Sequence, residues 1–189
     1  FSPHPRISYA NAAPTGIGSE AEYLEIALTS RCEVARVQAA LDKALPQDLD
    51  IVEVIEAKTP DFVERLEASV WQIECFDVQQ SDVDAAIERL LAAEVAEVSR
   101  LTKQGIRTFD VRSAVLDLHV ESYSEENCAI LRLVVRHTTP AVRPDDVLQA
   151  LMSVGSLTMV TPPRVTRCSQ GPLTADARDV SDPFAPDRV

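Results

Sequence analysis

The apolar residues of this 189-residue chain change period along its length, and the order of those changes limits the folds open to it. Ile7 to Ala10 reads as a strand. Pro14, Gly16 and Gly18 make a turn, and Ala21 to Thr29 alternates, with Tyr23, Glu25 and Ala27 on one face and Leu24, Ile26 and Leu28 on the other. Glu33 opens a helix in which Val34, Val37, Leu41 and Leu45 recur at helical spacing until Pro46 stops it. Ile51 to Ala57, rich in β-branched residues, reads as the next strand. Strand, strand, helix, strand is the later part of a ferredoxin-like βαββαβ unit whose first strand and helix would lie upstream of Phe1.

Thr59-Pro60-Asp61 then resembles a helix start, with Phe62 and Leu66 forming one apolar face. A second round follows. Ala68 to Asp77 reads as a strand, and Ser81 with Asp84 as a capping box ahead of a helix whose buried stripe is Val83, Ile87, Leu90 and Leu91. Val95 to Ser99 and Ile106 to Val111 flank Lys103-Gln104-Gly105 as a hairpin. Strands are expected at Val115 to Glu121 and Ala129 to His137. Pro144-Asp145-Asp146 begins a helix that Gly155 ends, and Arg164 to Cys168 reads as a last edge strand.

The expected fold class is therefore α+β, with tandem ferredoxin-like domains, the first lacking its N-terminal strand and helix. Residues 1–58 form the later part of the first domain, 59–67 a connection, 68–169 the second domain, and 170–189 a Pro- and Asp-rich tail or extended strap that buries little.

The net charge of −12 excludes a protein that coats nucleic acid or anionic membrane non-specifically, because such binding is driven by Lys and Arg releasing counterions. Aromatic residues make up 5% of the chain, too few to supply both a core and a row of base-stacking platforms. No apolar run reaches the length of a membrane span, so the chain reads as a soluble cytoplasmic protein without a membrane partner. Cys32, Cys75, Cys128 and Cys168 lie too far apart for a zinc or iron-sulfur spacing and are read as reduced thiols, two or three of them core fillers. No P-loop, dinucleotide fingerprint or Ser-His-Asp order is present, and no cofactor is expected.

Two stretches concentrate special residues. Pro3 and Pro5 preset the backbone around His4, so that an imidazole and the guanidinium of Arg6 project at low entropic cost, suited to gripping phosphate or to general acid-base work. The plainer alternative has His4 bonding a neighbouring loop and Arg6 pairing with Glu20 or Glu22. The second stretch sets Arg100, Lys103, Arg107 and Arg112 against the single carboxylate of Asp110, a basic hairpin on an acidic body. Its plainer alternative is a solvated hairpin with an Arg-Asp pair. Asp117, His119 and Glu121 would share one sheet face, but such faces usually serve solubility, and no metal site is expected.

The opening stretch resembles a bacterial family of radical-SAM-associated proteins that carry the domain of unknown function numbered 2344. The matching residues are Phe1-Ser2-Pro3-His4-Pro5-Arg6-Ile7-Ser8, Ala10, Pro14, Gly16 and Glu20-Ala21-Glu22-Tyr23-Leu24. Thr102-Lys103, Gly105-Ile106-Arg107, Asp110 and Arg112 form a second similar segment, and Gln170-Gly171-Pro172-Leu173 with Asp182-Pro183 and Ala185-Pro186 is similar to actinobacterial members. Full members begin with a strand and helix containing a Ser-His-Leu-Asp sequence, which is absent here, as is the three-cysteine motif of radical-SAM catalysts. The resemblance implies an accessory protein found beside, or fused to, radical-SAM proteins, in a neighbourhood shared with a ribonuclease and ribosomal proteins. It makes a radical-SAM protein and transfer or ribosomal RNA the expected partners, with Arg6, Arg100, Lys103, Arg107 and Arg112 as phosphate contacts. Two alternatives remain open. One is a metal-independent endoribonuclease with His4 as general acid or base, and the other a protein-interaction scaffold for a radical-SAM partner.

Overall fold

The computed structural model describes residues 6–47, 49–103, 105–124 and 127–188. Its strands are β1 (Arg6–Ala10), β2 (Gly18–Ser19), β3 (Tyr23–Ala27), β4 (Ala68–Cys75), β5 (Glu97–Thr102), β6 (Gly105–Asp110), β7 (Val115–Tyr123), β8 (Ala129–Arg136) and β9 (Arg164–Gly171). The α-helices are α1 (Val34–Ala44), α2 (Phe62–Arg65), α3 (Gln80–Ala92) and α4 (Pro144–Ser153). The architecture is mixed α+β, and no helix among the described residues is long and apolar enough to cross a membrane.

Five strands form one sheet in the order β2-β9-β4-β8-β7, antiparallel except where β2 runs parallel to β9. Alternation on β4 and β8 sends Trp71, Ile73, Cys75, Ala129, Leu131, Leu133 and Val135 to one face, where α3 and α4 cover them with Val83, Leu90, Val147 and Leu151. The opposite face presents Ala68, Val70 and Val134, which Leu173 and Val180 from the segment after β9 cover in part. Where α4 ends, a Cβ on Gly155 would stand 2.8 Å from the Ala86 carbonyl of α3, so that crossing needs glycine for proximity. The left-handed residue of the turn is Ser156, at φ 58°.

β1 and β3 pair only with each other, and β5 and β6 form a separate ribbon between α3 and β7. The base of that ribbon is anchored by Val98, which is buried, and by Phe109, which packs against the core, whereas Leu101 and Ile106 near its tip are 79% and 77% exposed.

Several local expectations need correcting. The capping box at Ser81 and Asp84 does not form: α3 begins at Gln80 behind Gln79, and Asp84 instead accepts the Tyr123 hydroxyl at 2.9 Å. Ile51 to Ala57 is extended but joins no strand ladder. The Ile51 amide bonds Asp42 and its carbonyl takes Gln38, while no backbone group of residues 52–57 has a hydrogen-bond partner among the described residues. β-branching favours an extended backbone, but a ladder also requires a neighbouring edge.

Beyond Cys168 the chain is far from loose. β9 runs on to Gly171, and the last segment returns to the connection ahead of β4. There the Asp187 carboxylate accepts from the Arg65 guanidinium at 2.6 Å, the Thr59 hydroxyl at 2.7 Å and the amides of Lys58 and Thr59. Those bonds, the one from Arg65 first, hold its pKa well below the usual carboxylate range. Phe184 closes an aromatic trio with Tyr23 and Phe62, with centroids 5.2 to 5.5 Å apart. Pro and Asp composition concealed this because the burial rests on a few anchors.

The two parts of the chain differ in how completely they bury their helices. α4 buries six residues, and α1, with its apolar stripe of Val34, Val37 and Leu41, buries none. Leu133→Ala in β8 is therefore expected to cost about 2–5 kcal/mol in urea unfolding, whereas Leu24→Ala in β3 should stay within about 0.5 kcal/mol.

Candidate functional site

The basic hairpin divides into a structural base and a free tip. At the base, Arg100 donates to Asp146 of α4 at 2.6 Å and to the Ala141 carbonyl, and its guanidinium lies 5.0 Å from the Phe109 ring centre. Arg112 gives two bonds to the Leu91 carbonyl at the end of α3 and one to Val115. A cation there satisfies a carbonyl that the helix leaves unpaired. Asp110 forms no ion pair and instead caps the amides of Ala96, Arg112 and Ser113. Burial pushes its carboxyl up, but these bonds prevail and hold it below its ordinary value.

Lys103, in the turn, and Arg107, directly across the ribbon from Arg100, are exposed, and their side chains make no ion pair or hydrogen bond among the described residues. Arg6 begins β1, which pairs with β3 and belongs to a different sheet from the hairpin. His4 lies outside the described residues. Of the cations singled out by sequence, Arg100 and Arg112 are held by structural partners and Lys103 and Arg107 are exposed without a side-chain partner among the described residues, while the Arg6 side chain lies outside the described residues.

A buried polar seam that the sequence reading did not foresee joins the β1–β3 connection to the large sheet. Between Val70 and Trp71 the pairing with β9 shifts, leaving Cys168 as an extra residue and turning both Arg167 and Gln170 inward. The guanidinium of Arg167, 1% exposed, pairs with Glu22, donates to the Asn11 carbonyl at 2.7 Å and to Ser19 at 3.3 Å, and lies 5.5 Å from the Trp71 ring centre. Glu22 thus has Arg167 as a partner, and the expected pairing of Arg6 lies outside the described residues. Burial raises the Glu22 carboxyl, but bonds from Ser19, Arg167 and the Ala13 amide outweigh it and lower its pKa. The Gln170 side chain donates to the Ala21 carbonyl and accepts from Asn11.

His137 completes the seam. Its Nδ1 lies 2.5 Å from the Leu66 carbonyl, which can only accept, so Nδ1 carries the proton and Nε2 accepts from Ser69 at 2.8 Å and Asn11 at 3.1 Å. Burial, reinforced by the charge of Arg167, lowers its basicity against the opposing bond to Leu66. Ser69 is 1% exposed and His137 partly buried, and both side chains are engaged in bonds that hold the seam together. The one cue in the sequence was an arginine among the strand residues Val165, Thr166 and Cys168, but its partners lie about 150 residues away.

On the strand face considered for metal, Asp117 bonds His119 at 2.7 Å and approaches Arg132 at 3.8 Å. No group of three His, Cys, Asp or Glu placed to hold a metal occurs among the described residues. None of the four cysteines is in a disulfide; Cys75 and Cys128 are buried and Cys32 is exposed. An open groove of about 1110 Å³ lies between β3, α1, residues 49–57 and the end of the chain around Phe184 and Arg188.

A family model described as an uncharacterized protein conserved in bacteria, DUF2344, matches residues 1–144, which takes in every element up to the start of α4. No curated protein and no solved structure matches the chain.

Two tests address the seam. Arg167→Ala vacates a buried site beside Trp71 and removes the donor from the Asn11 carbonyl, and should cost about 3 kcal/mol in chemical unfolding. His137 has a folded basicity below its unfolded one, so the stability it contributes is complete above about pH 6.5 and is lost as pH falls from there through the lower folded value. The thermal midpoint should fall between pH 7.5 and pH 5 in the parent chain, and the part due to this residue should vanish in His137→Asn.

Proposed function

We propose that this chain, which belongs to the DUF2344 family of uncharacterized proteins conserved in bacteria, is a cytoplasmic accessory module that binds RNA through the tip of its β5–β6 hairpin. The observation that carries the proposal is the free pair of cations. Lys103 stands exposed in the turn, and Arg107 exposed across from Arg100, on a ribbon whose base is locked by Val98, Phe109 and the Arg100–Asp146 ion pair. A ribbon of six residues per strand extends about 20 Å, enough to carry charge clear of a body whose net charge is −12. Arg100 and Arg112 position the ribbon, so the phosphate contacts fall to Lys103 and Arg107, with Arg6 a contact only where the RNA also reaches the β1–β3 pair. The resemblance described above favours transfer or ribosomal RNA, and a radical-SAM protein as the molecule this module accompanies.

The fold reading belongs to the same proposal. The order β9-β4-β8-β7, with α3 following β4 and α4 following β8, is the arrangement of a ferredoxin-like βαββαβ unit with the β5–β6 ribbon inserted after its first helix. β1, β3, α1 and residues 51–57 repeat the chain order of β7, β8, α4 and β9. This supports two ferredoxin-like units, residues 1–58 and residues 68–169 with two further β9 residues, joined by 59–67. The place between β3 and residues 51–57 corresponds to that of β4.

The RNA proposal is tested by fluorescence anisotropy with labelled transfer RNA and single-stranded ribosomal RNA fragments over a range of salt. Lys103→Ala with Arg107→Ala should weaken binding and make the dependence of log affinity on log salt shallower by about 1.4 for single strands. Arg107→Lys should retain most of the affinity. Absence of RNA binding by the intact chain at low salt would overturn it.

A further inference from the structure

The β5–β6 ribbon carries an exposed apolar pair on the face turned away from the core. Strand alternation divides the ribbon into two faces. Val98, Arg100, Arg107 and Phe109 share the inner one, where Val98 is buried and the Arg100 guanidinium lies over the Phe109 ring. Ser99, Leu101, Ile106 and Thr108 share the outer one. There the Ser99 and Thr108 hydroxyls bond each other at 2.8 Å, and Leu101 and Ile106 stand directly opposite one another, 79% and 77% exposed. The carboxylates of the outer face, Glu97 and Asp110, form the rung farthest from the turn, and Asp110 is occupied by the amides it caps.

One exposed aliphatic residue is ordinary on a protein surface. Two in register, beside the turn that holds Lys103 and one rung from Arg107, make an apolar platform bordered by cations. What covers it must be apolar in its plane and anionic at its margin, and a nucleotide has that arrangement in its base and phosphate. In a duplex the base faces are stacked on one another, and the A-form major groove is too narrow for side chains to enter. Only an unpaired nucleotide offers both parts at once. The chain is poor in aromatic residues, at 5%, so an aliphatic pair takes the part that Phe or Tyr plays in other single-strand binders. An anionic membrane fits less well, because interfacial anchoring takes a longer apolar face and a cluster of basic residues, and the body behind this ribbon carries a net charge of −12.

We infer that the hairpin selects unpaired RNA over duplex, an unstacked base lying on the Leu101–Ile106 platform while Lys103 and Arg107 take phosphates of the same strand. Ile106 and Arg107 are consecutive in β6, so a strand that crosses this edge of the ribbon meets the platform on one face and the guanidinium on the other. The inference rests on the RNA-binding reading of the same hairpin and adds to it the class of RNA.

The probes are a labelled RNA stem-loop with 2-aminopurine in its unpaired loop and a blunt duplex of the same stem, each titrated with the full chain at fixed low salt. The stem-loop should bind about tenfold more tightly, the gain from covering part of two aliphatic side chains, and the 2-aminopurine fluorescence should rise as the base leaves its neighbours. Leu101→Thr with Ile106→Thr keeps residues that suit a strand. It should remove the preference and the fluorescence rise while leaving the salt dependence of stem-loop binding unchanged, because both cations remain. Leu101→Phe with Ile106→Phe should bind the stem-loop at least as tightly as the parent. Equal affinity of the parent for the two RNAs, or a preference that survives in the threonine variant, would overturn the inference and leave RNA binding standing. If the parent binds neither RNA, the RNA reading falls and the inference with it. If the threonine substitutions abolish cosedimentation with phosphatidylserine vesicles and leave stem-loop affinity as it was, the pair is a membrane contact and the inference is overturned.

Discussion

The guanidinium of Arg167 is where the two parts of this chain meet. It sits in β9 with 1% exposure, between the indole of Trp71 and the carboxylate of Glu22, and holds the Asn11 carbonyl and the Ser19 hydroxyl. A buried cation is tolerated only when it is paired and its donors are used, and here the residues that use them lie mostly in the loop linking β1 to β3. The sheet can thus bury Arg167 only if that loop docks, and the loop in turn brings β2 into parallel register with β9. His137, Ser69, Asn11 and Gln170 extend the same dependence along the seam.

A second clamp works from the other end of the chain. Asp187 draws together the amides of Lys58 and Thr59 and the side chain of Arg65, and Phe184 stacks against Tyr23 and Phe62. Between them, the seam and the clamp fix β3 and the connection at 58–66 without any large apolar interface in the first part. The β1–β3 pair, α1 and residues 51–57 consequently keep their apolar stripes open to the groove, while α3 and α4 close over the five-stranded sheet.

The hairpin shows how charge is partitioned by structure. Four cations within thirteen residues look equivalent in the sequence. Arg100 is drawn down to Asp146 and Phe109, and Arg112 to the end of α3, because each lies beside an acceptor that burial leaves in need of a donor. The side chains of Lys103 and Arg107 have no such partner among the described residues, so the ribbon spends two cations on its own position and presents two.

Much of the fold was legible from period alone: the alternation in β3, β4 and β8, the helical stripes of α1, α3 and α4, and the turn at Gly105, whose φ is 114°. Those patterns depend on contacts within a few residues, which is why the sequence by itself determined them and the α+β class that follows. The position of the basic hairpin was legible for the same reason. Tertiary structure decided the rest, because it depends on which distant residues come together. A bulge at Cys168 chose Arg167 and Gln170 for burial, Asp187 found Arg65 across 122 residues, and Ile51 to Ala57 stayed extended without becoming a strand. A residue's own chemistry sets what it can do, and only the neighbours supplied by folding settle which of those things it does.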